Sequence, residues 1–201
     1  MRTMLTREKF DLIKEKYGWC SSWAIWSEVG ETPKSNVGDL SVLDPDINTD
    51  LLSQLNTGIV LIGLNISRGV IKEPFANFHD KRSQATDYKI RFALKGSPNW
   101  GGYMTDIIKD FEETISGKVM TYLKENKSFV AENVELFRQE LNDIGSINPT
   151  LIAFGTDTFS ILNSSLKDEF RIKKVPHYAN YTNKENYRKQ VKEVGEEVSE
   201  K

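Results

Sequence analysis

The stretch Thr57-Gly-Ile-Val-Leu-Ile-Gly-Leu-Asn-Ile-Ser67 decides the fold. Ile59 to Ile62 is an unbroken apolar run rich in β-branched residues, too short for a helix core and bounded by Gly58 and Gly63. Such a run suits a strand buried on both faces, as in a parallel sheet covered by helices. It leads into Gly63-Leu-Asn-Ile-Ser67, a turn of permissive backbone followed by small polar side chains. Ligands of open α/β sheets bind beyond the carboxyl ends of the strands, so Asn65 and Ser67 are the first polar groups to place at a site.

Three more strands follow from the same logic. Residues 101–109 read as a second buried strand with a polar end, and residues 151–155, opened by Pro149, as a third. Residues 171–175 make the fourth and run into Pro-His-Tyr-Ala-Asn-Tyr181. Between them, residues 86–95 read as a helix closed by Gly96. Residues 128–144 carry Val130, Val134, Phe137, Leu141 and Ile144 on one stripe, a helix stopped by Gly145. A short helix over about 157–162 and a final one bearing Tyr187, Val191, Val194 and Val198 complete the alternation.

Upstream, Thr6 is placed to cap a helix that buries Phe10, Ile13 and Tyr17 and stops at Gly18. Trp19, Trp23 and Trp26 continue at that spacing, a stripe for core packing or for stacking on bases or sugars. Residues 31–48 read as a surface loop. Residues 68–82 form a long irregular segment rich in aromatic, amide and basic side chains, a composition that points to function and against disorder. Strand–helix alternation predicts an α/β fold: a three-layer α/β/α sandwich with a small central parallel sheet. One domain spans 1–201, with an N-terminal helix and loop over 1–50, a core over 55–181 and a C-terminal helix over 182–201.

Composition narrows the chemistry. A chain of 201 residues buries a sizeable core without staples. The single Cys20 excludes a disulfide framework and an all-cysteine zinc or iron–sulfur site, and two histidines, His79 and His177, argue against a histidine metal centre. No metal and no cofactor is expected. No apolar run approaches a membrane span and no apolar signal region opens the chain, so a soluble, cytoplasmic protein without a membrane partner is expected. The formal charge of -2 gives no global pull toward nucleic acid, and any such binding must use a local patch. A dinucleotide fingerprint, a P-loop and a nucleophile elbow are all absent.

What remains is a series of strand ends: Gly63-Leu-Asn-Ile-Ser67, Thr105-Asp106, Gly155-Thr-Asp157 and Pro176-His-Tyr178. In this order and spacing, over roughly residues 55–181, the chain resembles the uracil-DNA glycosylase superfamily, particularly branches whose first motif reads Gly-Leu/Ile-Asn-Pro. The resemblance implies a glycosylase-type fold and excision of a damaged or modified base from DNA without a cofactor. It casts Asn65, within the Gly63-Leu64-Asn65 motif, as the amide that positions water, and His177 as the donor to the departing base. Phe75 or Phe78 would stack on the base, and Asp106 stands where the family reads the base edge. Ser67, Lys81 and Arg82, with Lys173 and Lys174, would reach phosphates.

Each residue also has a plainer reading. Asn65 can simply form the turn, His177 can be a satisfied structural histidine, and either phenylalanine can pin the loop. The charged pairs can be solvated surface, and His79 beside Asp80 makes neither a metal site nor a triad. The chain departs from the family pattern at Ile66, where proline is usual, and at Tyr178-Ala179, which replaces Pro-Ser. Tyr181 is the nearest counterpart of the family's intercalating residue. Asp106 replaces an asparagine: a carboxylate only accepts, so it suits an edge with two donors, such as guanine N1–H and N2–H₂, and repels uracil O4. Two other readings stay open, a non-catalytic nucleobase or nucleic-acid binding module, and an enzyme acting on a free nucleoside or nucleotide.

Overall fold

The computed structural model describes residues 5–66, 71–109 and 111–199, the last five of these as backbone only. The central sheet has five strands: β1 (Ser22–Trp23), β2 (Asn56–Asn65), β3 (Gly102–Ile108), β4 (Thr150–Phe154) and β5 (Arg171–Val175), in the order β1-β3-β2-β4-β5. Strands β2 to β5 are parallel, and β1 pairs antiparallel with β3 through Ser22–Met104 and Trp23–Tyr103.

The helices are α1 (Arg7–Tyr17), α2 (Leu51–Gln54), α3 (Tyr88–Leu94), α4 (Ser116–Glu125), α5 (Lys127–Asp143), α6 (Thr156–Leu166) and α7 (Lys184–Ser199). Alternation along the strands sends side chains to two cores. Val60, Ile62, Tyr103, Ile107, Leu151 and Ala153 pack with side chains of α1, α4, α5 and α6. Ile59, Leu61, Met104, Ile152, Phe154 and Val175 pack with those of α3 and α7. A strand whose successive residues are all buried needs cover on both faces, and the helices supply it. The arrangement is compatible with a three-layer α/β/α sandwich.

Helix α1 starts where Thr6 Oγ1 accepts from Lys9 N at 3.3 Å, and buries Phe10, Ile13 and Tyr17. Gly18 follows because an added Cβ would lie 2.3 Å from Lys14 O and 2.9 Å from Pro74 Cβ. The tryptophan stripe is corrected by the structure. Trp23 sits in β1 and Trp26 beyond it, both buried, while Trp19 is exposed. Ser21 N still bonds Tyr17 O at helical spacing, with Ser21 Oγ on the same carbonyl, and the chain then enters the sheet where Ser22 pairs with Met104 and Trp23 with Tyr103.

Three of these elements lay outside the sequence expectation: β1, the one-turn α2 and α4. The two-residue β1 is too short to show a period. Helix α4 buries only Val119 and Leu123, with Gly117 in its first turn, so its apolar stripe is thin. Among the described residues, no helix is long and apolar enough to cross a membrane.

Candidate functional site

The chain leaves β2 for β3 on one side and returns to β4 on the other side of β2. This reversal opens a crevice at the carboxyl ends of the strands. A cavity of about 700 Å³ lies there, within the range of small-molecule sites. It is lined by Gly63, Leu64 and Asn65 from β2, Asp106 from β3, and Phe154 and Gly155 at the end of β4. Pro176, His177 and Tyr178 close it from the segment after β5. Six of the residues expected at a site therefore meet: Gly63, Leu64, Asn65, Asp106, Lys174 and His177.

Asn65 is held by its amide nitrogen. Nδ2 donates to Phe111 O and Glu113 O, both at 2.9 Å, and lies 3.4 Å from Ile66 O. With its hydrogens on main-chain carbonyls, the amide cannot flip without setting oxygen against oxygen. The orientation leaves Oδ1 as the acceptor of the pair, on a residue that lines the cavity. That is what holding a water requires. Asn65 also fastens the segment before α4, so the turn-forming and site-forming roles coincide.

His177 is part-buried, its ring stacked on Tyr178 at 4.4 Å. Its Nδ1 accepts from Ala179 N at 3.1 Å, so the proton of the neutral ring sits on Nε2. Burial moves the pKa below the ordinary histidine value, and protonation would set a new Nδ1–H against the Ala179 N–H. An unfolded histidine binds its proton near pH 6.5, and the folded chain resists until lower pH. Stability is therefore full above about pH 6.5 and falls as pH drops toward the folded pKa. His177→Asn is expected to shrink the fall in Tm between about pH 7 and pH 5.5, measured by scanning calorimetry. An identical profile for both proteins would contradict a desolvated, neutral ring.

Gly155 supports the histidine. Its φ of 91° with ψ of 176° lies in a region that L side chains hardly enter. An added Cβ would stand 3.4 Å from His177 Cβ. Gly155→Ala is expected to cost about 1–3 kcal/mol in denaturant unfolding. A change below about 0.5 kcal/mol would show that this turn is free to move.

Asp106 is buried at the cavity wall. Its Oδ2 accepts from Asn77 Nδ2 at 2.8 Å, and its main-chain carbonyl accepts from Lys109 Nζ at 2.6 Å. Lys109 is part of a buried group on the α5 side of the sheet. Its Nζ also donates to Thr105 Oγ1 at 3.1 Å and lies 2.8 Å from Glu140 Oε2. Glu140 Oε1 in turn accepts from Tyr103 OH at 2.7 Å. Burial pulls the Lys109 ammonium down, but Glu140 and its other partners outweigh it, so the ammonium is held above its ordinary value.

The remaining candidates fall elsewhere. Phe75 is corrected from a base-stacking residue to a core residue: it is 1% exposed and tilts against Phe10 of α1 at 5.4 Å. Phe78 is likewise buried behind the cavity wall, beside Gly63 and 6.2 Å from Phe154. Both phenylalanines have left-handed backbone, φ 64° and 63°, and these two bends turn the loop inward. Lys81 and Arg82 are corrected too. They border a separate depression with Gly38 and Asp80, where Arg82 pairs with Asp80. Ser67 lies outside the described residues. Tyr181 is fully exposed, next to the cavity-lining Asn180.

Sequence reasoning missed Asn77 and the wall formed by Glu113, Thr114 and Ser116. Glu113 Oε1 accepts from Ile115 N at 3.0 Å, and that bond lowers its pKa. A Glu-Thr pair ahead of a helix is the one local sign of this wall. Among the described residues, no group of three His, Cys, Asp or Glu is placed to hold a metal ion.

Fold and site together define an α/β protein with a polar cavity at a strand-order reversal. It presents an oriented amide, a neutral imidazole and a buried carboxylate. Compared with family models, curated proteins and solved structures, the chain has no match in any of the three.

Proposed function

We propose that this protein is an N-glycosylase of the uracil-DNA glycosylase type, which hydrolyses the bond between a nucleobase and its sugar in the cavity at the strand ends. One observation carries the reading. Asn65, with its amide orientation fixed, and His177, with its proton on Nε2, line the same cavity as Asp106. In the reaction, water oxygen bonds to the sugar anomeric carbon while the glycosidic bond breaks and its electron pair leaves with the base. Asn65 Oδ1 orients the water; an amide is a poor base, so the water proton passes on to solvent. His177 Nε2–H donates to the base oxygen as negative charge develops there, without taking on charge itself. A base in DNA must first leave the stack, at a few kcal/mol.

A second reading is favoured by charge. The lining holds the carboxylates of Asp106, Glu113 and Asp157 against the single ammonium of Lys174, and Lys81 and Arg82 stand apart. A wall of this sign suits a free nucleoside better than a polyanion. The test is base release, followed by chromatography, from single-stranded and duplex oligonucleotides and from the matching free nucleosides. The bases are uracil, hypoxanthine, xanthine and guanine. Release from oligonucleotides that weakens steeply with salt supports the DNA reading. Release only from nucleosides supports the second. No release from any substrate overturns hydrolysis and leaves a binding module.

A further inference from the structure

We infer that Asn77, which lies outside the cavity lining, sets which base edge the cavity accepts, by presenting Asp106 as a fixed acceptor to a guanine-type edge. The inference rests on the base-binding reading above. Asn77 is buried, and every polar atom of its side chain is used. Nδ2 donates to Asp106 Oδ2 and to Cys20 O, each at 2.8 Å, and Oδ1 accepts from Phe78 N at 3.2 Å. Rotating the amide by half a turn would put Oδ1 against the Cys20 carbonyl and N–H against N–H at Phe78. Three hydrogen bonds would be lost together in a buried place. The donor that meets Asp106 is therefore fixed by the turn after α1 and by the left-handed bend at Phe78, neither of which lines the cavity.

Asp106 is constrained from two further sides. Lys109 Nζ holds its carbonyl at 2.6 Å from the opposite face of the sheet. Gly63 leaves the room its carboxylate fills, since a Cβ on Gly63 would lie 2.1 Å from Oδ1. A carboxylate so fixed cannot turn a donor toward the cavity. Guanine offers N1–H and N2–H₂ side by side, two donors for such an acceptor. Uracil N3–H is flanked by carbonyls on both sides, so one oxygen opposes the carboxylate, and hypoxanthine keeps N1–H but has C–H in place of the amino group and offers a single donor. Asn77 thus acts as a positioning residue, and its signature is a changed order of preference. A uniform loss of binding would mean only a structural role.

The test uses single-stranded trinucleotides with guanine, hypoxanthine or uracil at the centre and abasic flanks, titrated into the full chain by calorimetry. The wild type is expected to bind the guanine probe about tenfold or more tightly than the uracil probe, the scale of one buried mispaired polar group. Asn77→Asp places a second carboxyl beside Asp106, and two carboxyls so close share a proton. The shared proton lies between the two carboxyls and lowers the negative charge that Asp106 turns to the base, and the preference is expected to shrink toward equality. Asn77→Ser, which shortens the side chain beyond reach of Asp106, is expected to narrow the ratio several-fold. It decides the matter if circular dichroism shows Asn77→Asp unfolded. A wild-type preference for guanine retained in the folded variants overturns the role of Asn77 and leaves base binding standing. A wild type that prefers uracil also overturns it. Binding of no probe, with no base release, overturns the base-binding reading and this inference with it.

Discussion

Asn65→Ala is expected to lower base release by about 10²-fold or more, the scale for losing a positioned polar group at the reacting atoms. The substitution removes the acceptor proposed to orient water and the donor that holds Phe111 O and Glu113 O. Those losses separate experimentally. Leaving the two carbonyls without their donor costs about 1–3 kcal/mol of stability, measured by denaturant unfolding. The loss of rate appears at temperatures where the variant stays folded. Asn65→Asp sharpens the distinction. It keeps an acceptor and gains basicity, yet it sets a second negative oxygen against the carbonyls of residues 111 and 113. It should therefore lose stability like the alanine variant while keeping more of the rate. An alanine variant with wild-type rate would remove Asn65 from the chemistry and leave it as the fastener of the loop before α4.

Lys109→Met is expected to destabilise the fold by about 3–5 kcal/mol, the range for stranding one member of a buried ion pair. The side chains of Lys109 and Glu140 are 5% and 0% exposed, so neither charge has water to fall back on. Without the ammonium, Glu140 keeps only Tyr103 OH among the described residues, and Asp106 O and Thr105 Oγ1 lose a donor. Guanidinium unfolding of the single variant gives the cost. The double variant Lys109→Met with Glu140→Leu removes both charges and is expected to regain most of it, since an apolar pair of similar volume needs no desolvation. A double variant as unstable as the single one would contradict the pair as the source of the loss. The network also stands beneath Asp106, so weakening it is expected to blunt base preference as well as stability.

The parallel sheet was legible because apolar runs such as Ile59–Ile62 report burial on two faces directly. The site was legible in part for the same reason: Gly63, Leu64, Asn65, Asp106 and His177 sit at or just beyond strand ends, and strand ends converge. Residues of the long loop were not. Whether Phe75, Phe78, Lys81 and Arg82 face the cavity depends on two left-handed bends at bulky residues, which no periodicity announces. Asn77 shows the limit most plainly. Nothing in Phe-Ala-Asn-Phe marks its amide as the partner of a carboxylate 29 residues away. Trp19, Trp23 and Trp26 had helical spacing but no helix, because Ser22 and Trp23 pair into the sheet with Met104 and Tyr103, long-range partners that local spacing does not announce.

Whether Asn65 and His177 face one nucleobase in one cavity is tested most directly by nitrogen-15 NMR of the full chain titrated with the guanine, hypoxanthine and uracil trinucleotides. The Asn65 side-chain amide, the His177 imidazole and the main-chain amides of Gly63 and Gly155 are expected to shift together along one saturation curve. The imidazole should carry its proton on Nε2 throughout. Shifts confined to other surfaces, or none with any of the three bases, would contradict that shared placement.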